Sequence, residues 1–96
     1  FSKHHKINQN KLYNVIKNGA AGSWQFSNRY MTLTKNKFDF GFSSELMEKD
    51  LRYVLKQSKK SKLNLKLTKE VHQKYKKLIN TKYRIQDTSS LVKTFF

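Results

Sequence analysis

Ninety-six residues carry 21 Lys+Arg against six Asp+Glu, a formal net charge of +15, and 36% of them are hydrophobic. One domain is the most that such a length holds, and about 60–65% of the unfolded chain's surface is all it can bury. The absence of Cys excludes a disulfide framework and a cysteine metal site, and no apolar run approaches the ~20 residues of a membrane span.

The chain opens on Phe1 rather than Met, and further residues are expected ahead of it. Asn8 is placed to cap a first helix, with Ile7 and Leu12 at the two positions of a hydrophobic staple. Leu12, Val15 and Ile16 give that helix one apolar stripe. Asn18-Gly19 stops it, and Gly22 closes the small-residue turn NGAAG. From Trp24 to Thr34 the residues alternate loosely, with Trp24, Phe26 and Tyr30 on one side and Met31 and Leu33 on the other. Lys35-Asn36-Lys37 reads as a polar turn, and Phe38, Phe40 and Phe42 share one face of a second strand. These two segments predict an antiparallel hairpin with a Phe-rich inner face.

Ser43-Ser44-Glu45 starts a second helix, with Glu45 and Glu48 where the helix dipole favours anions. Its buried stripe is predicted as Met47, Leu51, Val54 and Leu55. A third strand is expected at Leu63, Leu65 and Leu67. Beyond it, Val71, Tyr75, Leu78 and Ile79 fit a helix, while Ile79, Thr81, Tyr83 and Ile85 fit a strand face; periodicity leaves both open. Asp87 to Phe96 reads as a polar hinge with an apolar tag, LVKTFF.

Charge dominates the functional reading. Nucleic acid is the usual partner of so basic a body, anionic lipid the other. The run KQSKKSK, Lys56 to Lys62, could be a solvated helix end, since cations there suit the dipole and the last carbonyls. Arg52, Lys56, Lys59, Lys60 and Lys62 exceed that need and sit between two anchored elements, so they predict a ledge for RNA phosphates. Lys17 and Arg29 beside the NGAAG turn, Lys35 and Lys37 at the hairpin turn, and Lys66 in the third strand complete the candidate contacts. Neutralising about six phosphates would give a logarithmic salt slope near −4 to −5. The aromatic set Trp24, Phe26, Tyr30, Phe38, Phe40 and Phe42 could stack bases, but a domain this small needs it as core, with Trp24 the exception. His4, His5 and His72 lack the paired or spaced partners that acid–base or zinc chemistry requires. No catalytic residue, metal site or cofactor is therefore expected, and the chain reads as not an enzyme.

The order of helix, Asn18-Gly19 with Gly22 nearby, Lys35-Asn36-Lys37, Ser44-Glu45, Leu51-Arg52-Tyr53, Lys59-Lys60, leucine strand and Tyr83-Arg84-Ile85 resembles the eukaryotic large-subunit ribosomal protein twenty-two family, in a shortened version. The likeness runs over residues 10 to 86. It implies a small α/β fold of the α+β type, a single domain with a mostly antiparallel sheet backed by two helices. Residues 1–86 would be the RNA-binding domain and 87–96 a C-terminal tail. The implied partners are ribosomal RNA and neighbouring large-subunit ribosomal proteins, with no membrane and no small-molecule substrate, in cytoplasmic ribosomes. The alternatives are a mitochondrial ribosomal protein, a free-standing architectural nucleic-acid binder and a small basic nuclease.

Overall fold

The computed structural model describes residues 1–95, and its regular structure is helical: α1 is Gln9–Lys17, α2 Trp24–Thr34, α3 Ser44–Lys60 and α4 Lys66–Leu78, followed by a 3-10 helix at Thr88–Thr94. The chain forms two compact units, Phe1–Lys37 and the residues from Phe38 onward.

In the first unit both helices are started by side chains. Asn8 Oδ1 accepts the Lys11 amide at 3.0 Å, as its position predicts, and Ser23 Oγ accepts the Phe26 amide at 3.0 Å. Tyr13 of α1 stacks with Phe26 and Tyr30 of α2, ring centroids 5.9 and 6.3 Å away. The Tyr13 hydroxyl donates to the Ser27 carbonyl at 2.8 Å, and Tyr30 donates to Gln9 Oε1 at 2.6 Å. No residue of α1 or α2 is fully buried, so this three-ring stack is the centre of a thin unit. The turn between the helices requires glycine at one position. A Cβ on Gly22 would lie 2.5 Å from the Lys17 carbonyl oxygen, a distance no side chain tolerates.

The second unit is built on α3 against α4, with the 3-10 helix packed on both. Phe38, Tyr75 and Leu78 are its buried hydrophobic residues, and Ser44, Glu48, Asp87, Thr88 and Ser90 are buried polar ones. So much buried polarity is stable only where each group is hydrogen-bonded. Ser44 Oγ and Ser90 Oγ lie 3.1 Å apart, and Asp87 Oδ1 accepts the Ser89 amide at 3.0 Å, capping the 3-10 helix.

The antiparallel sheet expected from the sequence is not there. Among the described residues the β pairing is one isolated bridge, Ser43 with Asp87. Trp24–Thr34 is a helix because Ser23 caps it and because Phe26 and Tyr30, four apart, meet on one side. Phe38, Phe40 and Phe42 form no strand; the first is buried and the other two are partly exposed. After α3, Lys62 takes a left-handed backbone (φ 55°) and the Leu63 amide donates to the Ser58 carbonyl, so the chain turns rather than extends. From Lys66 the spacing of Val71, Tyr75 and Leu78 selects a helix. Successive turns, with amides of Thr81, Arg84 and Gln86 bonded three residues back, replace the last strand. Val54, expected in the buried stripe of α3, is 49% exposed. Of the tag LVKTFF, Leu91 to Thr94 lie in the 3-10 helix, and Phe96 lies outside the described residues.

Candidate functional site

The segment Phe38–Ser44 is laid against residues 84–90 by backbone bonds. The Asp87 amide donates to the Phe38 carbonyl and the Thr88 amide to the Phe42 carbonyl, both at 2.9 Å. The Ser44 and Glu45 amides, the first of α3, donate to the Gln86 and Arg84 carbonyls at 2.8 and 3.0 Å. The donors that a bare helix N-terminus would offer to an anion are therefore already used. Between Phe40 and Phe42, Gly41 adopts φ 78°, a backbone that favours glycine and turns the two rings outward at 37% and 44% exposure. Arg84 Nε to Glu45 Oε2, at 2.7 Å, closes the same end of the helix.

From that end, α3 carries two unlike faces. One holds Ser44, Glu48 and Ser58 in the interior. The other presents Leu46, Tyr53 and Val54, all exposed, at spacings of seven and eight that bring them to one side. Lys49 and Asp50 lie on this side. Lys49 Nζ is 3.2 Å from Asp50 Oδ1 and 6.0 Å from the centroid of the Tyr53 ring. An ammonium on this face, beside one ring and one carboxylate, can hold a carboxylate of a small ligand. On the inner side, Glu48 Oε1 meets His72 Nε2 at 2.8 Å and Arg52 Nε at 3.4 Å, which joins α3 to α4. Tyr75 donates to the Thr88 carbonyl at 3.0 Å, and burial of its ring, with Asp87 adding, pushes the phenol up to about 12 although a side-chain hydrogen bond with Thr88 pulls the other way. Among the described residues no group of His, Asp and Glu could hold a metal ion.

The residues singled out from the sequence divide between the two units. Lys17 ends α1 with its ammonium 4.8 Å from the Tyr13 ring, and Arg29 lies 5.1 Å from the Trp24 ring. Lys35 and Lys37 follow α2. Arg52 is tied to Glu48 and lies 5.3 Å from the Tyr53 ring. Lys56, Lys59 and Lys60 line the end of α3, Lys62 sits in the turn, and Lys66 opens α4, all exposed. These five are brought together by the α3–α4 connection; Lys17, Arg29, Lys35 and Lys37 belong to the other unit. Lys49, Asp50 and Tyr53 were not among the candidates drawn from the sequence. The available signal was a second apolar stripe on α3, Leu46 with Tyr53 and Val54, opposite the buried one.

Three comparisons bear on what this architecture serves. Residues 1–95 match the family model described as the NAD-binding domain of NADP-dependent 3-hydroxyisobutyrate dehydrogenase. An uncharacterized oxidoreductase of Shewanella frigidimarina is 37% identical over 92 residues, and the L-threonate dehydrogenase of Cupriavidus necator is 29% identical over 89. These alignments take in 96% and 93% of this chain but 32% and 30% of the relatives, so the chain spans about a third of their length. The crystal structure of a 3-hydroxyisobutyrate dehydrogenase from Salmonella typhimurium superposes with a TM-score of 0.86 at 23% identity, covering 99% of this chain and 33% of that one. The ribosomal resemblance is thereby overturned, and with it ribosomal RNA and ribosomal proteins as partners, the structural role in translation and the reading as a non-enzyme. The short matches that carried it fall on turns, on a helix start and within α3, and none of them is specific by itself.

Proposed function

Since the chain belongs to the family of the NAD-binding domain of NADP-dependent 3-hydroxyisobutyrate dehydrogenases, we propose that it is the helical part of an NAD(P)-dependent dehydrogenase acting on a small hydroxy acid. The observation that carries this reading is the match along residues 1–95. The reaction class is oxidation of the acid's hydroxyl-bearing carbon to a carbonyl, its hydride passing to a nicotinamide that the cofactor supplies when bound and its hydroxyl proton being released to solvent.

This chain's own residues do not suit the cofactor's pyrophosphate. There is no Gly-x-Gly-x-x-Gly turn among its three glycines, and the first amides of α3 are bonded to residues 84 and 86. The pyrophosphate is therefore assigned to residues other than these. What α3 offers is its exposed face. Lys49 would take the carboxylate of the hydroxy acid, Asp50 and the Tyr53 ring would hold the ammonium in place, and Phe42, Leu46 and Val54 would exclude water around it.

The test is to assay the complete gene product with NAD+ and NADP+ against 3-hydroxyisobutyrate and L-threonate, with a Lys49→Ala variant alongside. Turnover of a hydroxy acid that Lys49→Ala weakens through KM supports both the class and the face. Turnover indifferent to that substitution leaves the class standing and removes the face.

A further inference from the structure

We propose that Tyr75 is a positioning residue for the exposed face of α3, acting through Thr88 on Phe42. This rests on the reading of that face as the hydroxy-acid side of the protein.

Tyr75 itself is only 6% exposed and cannot touch a ligand on that face. Its hydroxyl donates to the Thr88 carbonyl at 3.0 Å, and the Thr88 amide donates to the Phe42 carbonyl at 2.9 Å. One residue thus receives a bond from α4 and passes one to the aromatic segment before α3. The neighbouring bonds tie the same two segments, the Asp87 amide donating to the Phe38 carbonyl and, in the opposite direction, the Ser44 amide donating to the Gln86 carbonyl. Residues 86–88 are therefore a template along which Phe38–Ser44 is set, and Tyr75 fixes that template against α4.

The need for a fixed template lies in Phe42. Its ring is 44% exposed and follows Gly41, whose φ of 78° makes the local backbone permissive. The carbonyl bond to Thr88 fixes the backbone that carries this ring. A buried hydroxyl that locks the acceptor's own residue is a suitable device, because an alternative Thr88 position would leave its carbonyl unsatisfied.

Tyr75→Phe keeps the ring and removes only the hydroxyl. In the complete gene product it should lower kcat/KM for the hydroxy acid about tenfold, the scale of a small misplacement in a site, and it should speed hydrogen exchange of the Thr88 amide. Combined with Phe42→Ala, the substitution should have no further effect on kcat/KM, because both remove the same placement. Loss of stability alone would lower active protein equally in both backgrounds. A Tyr75→Phe enzyme with unchanged kcat/KM, or one whose loss persists in the Phe42→Ala background, overturns the inference. If the unsubstituted protein turns over no hydroxy acid, the dehydrogenase reading falls first. If it is active but Phe42→Ala is silent, the face is misassigned and the class survives.

Discussion

Glu48 on α3 and His72 on α4 share a hydrogen bond of 2.8 Å, carboxylate Oε1 to imidazole Nε2, with side chains only 10% and 14% exposed. This bond joins the two helices that build the second unit, and the oxygen that His72 meets also faces Arg52 at 3.4 Å. Removing the imidazole leaves a nearly buried carboxylate with a weaker partner. His72→Ala should therefore destabilise by about 1–3 kcal/mol, read as a lower urea midpoint. Glu48→Gln, which keeps the shape, should cost less, and the double variant should be less destabilised than the sum of the two.

Gly22 and Gly19 lie in one turn but face different surroundings. A Cβ at Gly22 meets the Lys17 carbonyl at 2.5 Å, whereas at Gly19 the nearest atom is 3.6 Å away. Gly22→Ala should cost about 1–3 kcal/mol, the range of an overpacked site, while Gly19→Ala should stay within about 0.5 kcal/mol. Thermal unfolding of the two variants side by side checks this, and equal losses would mean that the turn opens freely.

The Ser23 hydroxyl accepts the Phe26 amide at 3.0 Å and begins α2. Ser23→Ala should cost about 1 kcal/mol, with reduced helicity by circular dichroism, whereas Ser43→Ala should cost less, since the Ser43 side chain makes no cap bond to α3.

How far the sequence disclosed this fold depends on the segment. Asn8, whose side chain caps it, placed the start of α1, and Ser43-Ser44-Glu45 placed the start of α3, although Ser43 makes no cap bond and Val15 and Val54 of the expected stripes are 73% and 49% exposed. Trp24–Thr34 misled because Gln25, Ser27 and Asn28 stand between aromatics and imitate a two-residue period; the capping bond of Ser23 is the decisive term, and hydrophobic alternation does not register it. Leu63, Leu65 and Leu67 alternate as a strand would, yet Leu63 and Leu67 are 60% and 74% exposed, so no buried face rewards pairing. As for function, the lysines drew attention by number. Lys49 did not, since one ammonium among 21 cationic residues is visible as a site only once Leu46, Tyr53 and Val54 are known to point outward with it.

Tyr75 makes stability depend on alkaline pH. Its phenol is raised from 10.0 to about 12, chiefly by burial, so above pH 10 the unfolded chain loses the proton while the folded one keeps it. The contribution is complete below pH 10 and declines as pH rises toward about 12, with up to about one proton released on unfolding. The stability difference between the unsubstituted protein and Tyr75→Phe should narrow over that interval. A difference that is flat from pH 9 to about 12 would show that the hydroxyl ionises equally in both states.

On the proposed reading, the hydroxy acid of the dehydrogenase is held on α3. Lys49→Ala should raise KM for the acid at least about tenfold, as loss of a charged hydrogen bond does, and Lys49→Arg should restore part of it. The most direct measurement is nicotinamide reduction followed by absorbance, with the complete gene product, NAD+ or NADP+, and a panel headed by 3-hydroxyisobutyrate and L-threonate. Saturable reduction is expected with at least one small hydroxy acid, weakened by Lys49→Ala. No reduction by folded protein with either nucleotide across that panel would contradict it.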